Sequence, residues 1–203
     1  MHLSADGYNE GIFLNGGYTD MQRPMRQKAR QVTDRALICA MLDEMDTMFL
    51  GIHDEPAPYV VPLNFGYALE EDTLVFYFHC AQAGQKLELL AKNPHVSVTA
   101  ARFISYAEAP VKGHLHDYRS VMARGVARQI DPEQEEAAFD RAYRLLLAHN
   151  HRTPLPDDPQ VLAHVQLWRI VCRMEDVTAK AEITPKAKDE VPFAPKMQRD
   201  ATF

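Results

Sequence analysis

The chain has 203 residues, 46% of them hydrophobic, and a net charge of −6. That length suits one domain with a real core better than two small ones. The acidic balance argues against a general nucleic-acid binder, which carries a basic patch, and no apolar run of about 18 residues supplies a membrane helix.

Residues 1–24 are rich in Gly, Asn and Asp and show no sustained period, so they read as an N-terminal arm. They lack a basic start followed by an apolar stretch, so no secretory signal is expected. Asp34 is a candidate N-cap, and Leu37, Ile38, Met41, Leu42 and Met45 recur at helical spacing, which predicts a helix over 34–46. Extended runs follow at Met48–His53, Pro58–Leu69 and Thr73–Cys80, the last two joined as a hairpin by Glu70-Glu71-Asp72. Pro62 donates no backbone bond, so its strand is an edge or carries a bulge. Gln82–Lys92 reads as a helix that Asn93-Pro94 stops. His95–Phe103 reads as a strand, 104–117 as a long loop and Tyr118–Ile130 as a further strand.

Asp131-Pro132-Glu133 carries the signals of a helix start. A Pro/Asp loop covers 153–160, and Val165–Val177 reads as the last strand. The domain is expected to span 25–180, with an extended tail over 181–203. Strands in series with short helices between them predict an α+β, mainly β, antiparallel barrel or sheet. Neither a G-x-G-x-x-G after a strand nor a P-loop is present, which disfavours those nucleotide sites. Three widely spaced cysteines, Cys39, Cys80 and Cys172, form no disulfide framework or zinc knuckle and suit a reducing cytoplasm.

Several residues could carry chemistry, each beside a plainer reading. Lys86 falls in the first turn of its helix, where the dipole repels a cation unless an anion sits between them; alternatively its stem lies along the surface. His79 ends an apolar strand and is either a hydrogen-bonded strand-end histidine or a functional one. Arg119 and Ser120 could fork onto phosphate oxygens or serve a surface salt bridge. The pairs His114/His116 and His149/His151 lack a completing carboxylate pattern, so no metal site is expected. His79 and Cys80 point to opposite faces of a strand, a poor geometry for a nucleophilic pair. Trp168 could be core, interface or ligand neighbour.

Taken together, YVVPLNFGY, LVFYFHCAQAGQKLELLAKNPHVSVTA and YRSVMARGVARQI resemble the FMN-binding split-barrel proteins of the pyridoxamine 5′-phosphate oxidase-like superfamily, and within it the nitroimidazole-resistance group. The resemblance runs from about Met25 to Lys180. It implies a six-stranded antiparallel split β-barrel with peripheral helices, working as a homodimer with FMN at the dimer interface. It implies that Val60, Val61, Pro62, Leu63 and Asn64 lie against the flavin ring, and Phe78 and His79 near the ring or ribityl chain. Gln85 and Lys86 would hold the phosphate, and Arg119 and Ser120 would make a second phosphate or ring contact. His79 matches the active-site histidine of the nitroimidazole-resistance group.

The implied activity is flavin-dependent oxidoreduction from NAD(P)H to a small acceptor such as a nitroaromatic. The alternative is a non-catalytic flavin- or haem-binding carrier or sensor. Oxidases of pyridoxamine phosphate place an Arg where this chain has Tyr59–Pro62, and Ser-Arg-Lys where it has Gly84-Gln85-Lys86. Both departures remove cations and argue against pyridoxamine phosphate as substrate.

Overall fold

The computed structural model describes residues 25–106, 116–151 and 165–182. Helix α1 (Arg35–Asp43) begins where the Asp34 carboxylate accepts the Leu37 N–H at 2.9 Å, satisfying one of the orphan donors of the first turn. Ile38, Met41 and Leu42 form its buried stripe. Two further helices, α2 (Gln85–Lys92) and α3 (Glu136–His149), accompany nine strands among the described residues. These are β1 (Gln31–Val32), β2 (Thr47–Ile52), β3 (Tyr59–Asn64), β4 (Gly66–Glu70), β5 (Thr73–Cys80), β6 (His95–Tyr106), β7 (His116–Gln129), β8 (Gln166–Arg173) and β9 (Val177–Glu182).

All pairings are antiparallel, and seven strands follow one path, β3-β2-β6-β7-β8-β5-β4, while β9 pairs with β7 and β1 with β9. The path begins at β3 and finishes at β4, which are separated in sequence by Phe65 alone. The sheet must therefore curl until its two ends approach each other. The result is an α+β, mainly β, split barrel with few helices.

Alternation sorts the side chains. Met48, Leu50 and Ile52 of β2, Val96, Val98 and Ala100 of β6, and Val121 and Ala123 of β7 all point inward onto the residues of α1. In β5 both faces are covered: Leu74, Phe76 and Phe78 join that core, whereas Val75 and Tyr77 pack with Leu167, Val171, Ala142 and Leu146 beneath α3. This is why Leu74–Phe78 reads as an unbroken apolar run.

The structure differs from the sequence expectation at five places. Nine strands are present among the described residues, not six, because two expected strands are each two and the short β1 is not among those expected. The run 58–69 breaks at Phe65, where the chain leaves β2 and joins β5. The last strand breaks at the 3-10 turn Met174–Asp176, and β9 follows. The expected loop 104–117 is partly strand, since Tyr106 pairs with His116. The Asp131 carboxylate caps a turn, accepting from Glu133 and Gln134, and α3 starts only at Glu136. Residues 1–24, 153–160 and the tail beyond Glu182 lie outside the described residues. Pro62 sits in β3, at the end of the path, as its missing donor requires.

Gly66 packs directly under α3: a Cβ there would fall 2.7 Å from backbone atoms of Leu145 and Leu146. Gly66→Ala should therefore lower stability by roughly 1–3 kcal/mol, the usual cost of overpacking, seen as an earlier urea midpoint with an unchanged slope.

Candidate functional site

The site is built where β5 ends and α2 begins. Phe78 points inward and is fully buried. Its cross-strand neighbour on β8 is Trp168, whose ring lies nearly parallel to it at 6.2 Å between centroids. Lys86, half-buried, sets its ammonium over the other aromatic partner, 5.5 Å from the Phe78 centroid. The lysine is thus anchored to the fold and not simply solvated. Gly84 precedes α2 with φ 138°, a conformation that favours glycine, and no side chain caps the helix. Gln85, exposed, donates from Nε2 to the Asp54 carboxylate at 3.3 Å, which ties the helix start to the segment that follows β2.

His79 lies on the opposite side of β5 from Phe78 and is exposed. Burial of part of its ring holds its pKa below the ordinary value of 6.5, and the nearby charge of Lys86 lowers it further. It is neutral at pH 7. Burial raises the Cys80 thiol pKa, against the opposing charge of Lys86. One cation therefore influences both residues at the end of β5.

On β3, Val60, Pro62 and Asn64 face outward, while Tyr59, Val61 and Leu63 pack against the core. Asn64 spends its amide on the Asp46 carbonyl, donating at 3.0 Å. Val60, at 57% exposure, belongs to a row of large apolar side chains outside the fold that includes Phe49, Met122 and Phe103.

Arg119 and Ser120 part company on β7. Ser120 faces outward beside Lys180, its register partner on β9. Arg119 faces inward, fully buried, and its guanidinium is bonded to Glu44 at the end of α1. Arg102, directly opposite Arg119 in the β6–β7 register, also reaches Glu44, at 3.5 Å to the carboxylate and 3.3 Å to the carbonyl. Two arginines facing each other across a ladder repel, and Glu44 holds them together. The structure therefore seats Arg119 under α1, on the face opposite to Ser120.

Of the expected site residues, the fold brings Phe78, His79, Gln85 and Lys86 into one corner and places Val60, Pro62, Asn64 and Ser120 on the outward face of the sheet. Sequence reasoning missed Asp54 and Glu44, and left Trp168 without a role. Asp54 and Glu44 carry no motif. Trp168 could be given a role only from the β5–β8 register, which no local pattern reveals.

Among the described residues no group of three or more His, Cys, Asp or Glu side chains could hold a metal ion. His149 turns into the fold, its Nε2 2.7 Å from the Met45 carbonyl and its ring against Phe65. His114 lies outside the described residues. None of the described helices is long and apolar enough to cross a membrane. An open, polar hollow lies apart from this corner, against the turn Arg128–Glu135. Burial works against the Glu135 charge there, but Arg128 and Arg169 outweigh it and hold the carboxyl below its usual range.

Residues 34–181 match the pyridoxamine 5′-phosphate oxidase family. The chain belongs to this family. No curated protein sequence matches it. Among solved structures, a candidate 5-nitroimidazole antibiotic resistance protein from Bacteroides thetaiotaomicron is 28% identical, with a TM-score of 0.58 over 74% of this chain and 86% of that one. The flavocytochrome Anf3 from Azotobacter vinelandii is 20% identical, with a TM-score of 0.61 over 82% of this chain and 76% of that one. An FAD- and heme-binding protein from Mycobacterium smegmatis is 16% identical, with a TM-score of 0.58 over 75% and 73%. At those identities the last two likenesses speak for the fold of this family member.

The Lys86–His79 coupling is open to measurement. Lys86→Met should raise the NMR titration midpoint of His79, since a neighbouring cation disfavours the imidazolium. The folded protein keeps His79 neutral where the unfolded chain protonates it, so acidification below about pH 6.5 costs stability. Lys86→Met should make that loss smaller. An unmoved midpoint would show that the two groups are not coupled.

Proposed function

We propose that this family member binds FMN and works as a flavin-dependent oxidoreductase, taking electrons from NAD(P)H and passing them to a small acceptor such as a nitroaromatic. The observation that carries the reading is the anchored Lys86 at the uncapped start of α2. It combines a fixed cation, helix N–H groups and an open glycine, the chemistry that a phosphate monoester requires. The residues present fit the group: Lys86 and Gln85 hold the phosphate, and the outward side of β3 at Val60 and Pro62 offers an apolar surface to the ring. Ser120 supplies a hydroxyl on the same face of the sheet. Arg119 supports the site from behind by pinning Glu44 and α1. The 28% likeness to the nitroimidazole-resistance protein supports the choice of acceptor class.

Bound flavin supplies hydride and electron transfer, and the protein supplies binding and orientation. His79, neutral at pH 7, orients the acceptor through a ring N–H and can accept a proton at its other nitrogen. The exposed row of Phe49, Val60, Phe103 and Met122 is covered by a second copy of the chain, which gives the homodimer and excludes water from the ring. The missing cations at Tyr59–Pro62 and Gly84-Gln85 argue against pyridoxamine phosphate as the oxidised substrate.

The test is the visible spectrum of the pure protein after incubation with FMN. Oxidised-flavin bands that NADH or NADPH bleaches are expected; a protein that takes up no flavin ends this reading, and a Soret band in its place assigns the pocket to haem. Lys86→Ala should weaken FMN binding by at least about tenfold while leaving riboflavin, which lacks the phosphate, unaffected. His79→Ala should retain flavin and slow turnover of a nitroaromatic; an unchanged rate removes His79 from the mechanism.

A further inference from the structure

Three glycines interrupt strands of the barrel, and the fold explains only two of them. At Gly66 an added Cβ would meet the α3 backbone at 2.7 Å, and at Gly125 it would meet the Val171 carbonyl oxygen at 2.4 Å. Both positions exclude any side chain. Gly51 is different. Among the described residues a Cβ there would find only Ser97, at 3.6 Å to its carbonyl oxygen and 3.8 Å to its Cβ, which is ordinary van der Waals contact, and its φ lies outside the left-handed region.

Among the described residues, nothing thus requires glycine at 51. Yet Gly51 lies in β2, paired on both sides, with Val60 of β3 and Ser97 of β6 as register partners. Glycine weakens a strand interior because it loses more backbone freedom on folding and contributes no packing. A glycine in a strand marks a bulge, a tight bend, or a place where a ligand or another backbone comes close; the register runs unshifted through Gly51 to both β3 and β6, which argues against a bulge.

The surroundings indicate what comes close. Met48, Leu50 and Ile52 point into the core, so Gly51 faces outward with Phe49, two residues before it on the same face. Phe49 and Val60, at 47% and 57% exposure, border it. The result is a flat spot in the sheet with apolar edges, suited to a planar ring. The chain then runs from Gly51 to Asp54, whose carboxylate touches Gln85 at the start of α2. Three residues at ~3.3 Å each put Asp54, which touches the start of α2, no more than roughly 10 Å from the flat spot, within the reach of a ribityl chain.

We infer that Gly51 is the seat of the flavin ring, left without a side chain so that the ring can lie on the backbone of β2 between Phe49 and Val60. The inference rests on the flavin reading above and adds a residue that neither motif nor resemblance assigns.

Gly51→Val places a β-branched side chain on an open outward position of a paired strand. Its melting temperature should equal or exceed that of the unaltered protein. FMN and riboflavin should both bind at least about tenfold more weakly, read by quenching of flavin fluorescence, because the clash is with the ring. Lys86→Ala should weaken FMN alone. Gly51→Ala, which adds only a Cβ with room around it, should fold normally and show a smaller loss for both ligands; it carries the test should the valine disturb folding. The size of the flavin-free protein, by light scattering, should be unchanged in both variants.

Unchanged affinity for both flavins in both variants overturns the inference. So does a change in the assembly of the flavin-free protein, which would assign Gly51 to contact with a second chain. If the unaltered protein binds neither FMN nor riboflavin, the failure belongs to the flavin reading itself and removes this inference with it.

Discussion

The whole structure turns on one residue. Phe65 joins β3 to β4, and those strands are the two ends of a seven-strand path. A sheet whose ends are covalently adjacent cannot stay open, so it must roll up, and its inward face must become a core. The corner is held from several sides. The Phe65 ring is fully buried and meets Phe76 at 5.8 Å and His149 at 4.4 Å. Its carbonyl accepts from the Asn150 amide at 2.9 Å, and His149 in turn contacts the Met45 carbonyl. The C-terminal end of α3 thus locks the closure. Gly66, immediately after the corner, lets α3 approach closely enough to do so.

Closure also fixes where the barrel splits. One edge of β7 pairs with β9 from Tyr118 to Ala123 and with β8 from Val126 to Gln129, the change falling at Arg124-Gly125. Gly125 is needed there because Val171 crosses against it. The β8 register that follows carries through to β5 and sets Trp168 on Phe78. Phe78 then offers its ring to Lys86. The ring beneath the cation at the head of α2 is thus braced by Trp168 of β8, far away in sequence. The placement of that cation depends on tertiary pairing, not on helix propensity, which disfavours a cation in the first turn.

These same long-range pairings separate what the sequence reveals from what it conceals. Local signals are legible: the Asp34 cap, the β4–β5 turn, the Asn93-Pro94 stop and the edge position of Pro62 each follow from the chemistry of one or two residues. The Phe65 corner is not legible, because VPLNFGYALE has the composition of a single long strand and only the choice of partners breaks it. The identity of the family is carried by ordered motifs and needs no register. Individual site residues are less secure. Neighbours on a strand point to opposite faces, which separates His79 from Cys80 and equally separates Arg119 from Ser120. A guanidinium and a hydroxyl adjacent in sequence therefore cannot fork onto one group here. Glu44 decides which way the arginine goes, and nothing in the sequence near Arg119 points to it.

The buried pair formed by Arg119 and Glu44 illustrates how the interior supports the exterior. A fully buried guanidinium is costly unless a carboxylate meets it, and the end of α1 supplies that carboxylate. Arg102 lies opposite and half-exposed on the same acid, so the end of the β6–β7 ladder cannot slip without exposing one cation and stranding the other. Register is thereby fixed at the next rung, Ala101 and Ser120, which face outward beside the two arginines. A shift of one residue would send Ser120 inward and bring an arginine onto the outward face. The polar and apolar pattern of that face, from Ser120 through Met122 to Phe49 and Val60, is held in place by an ion pair on the opposite side of the sheet.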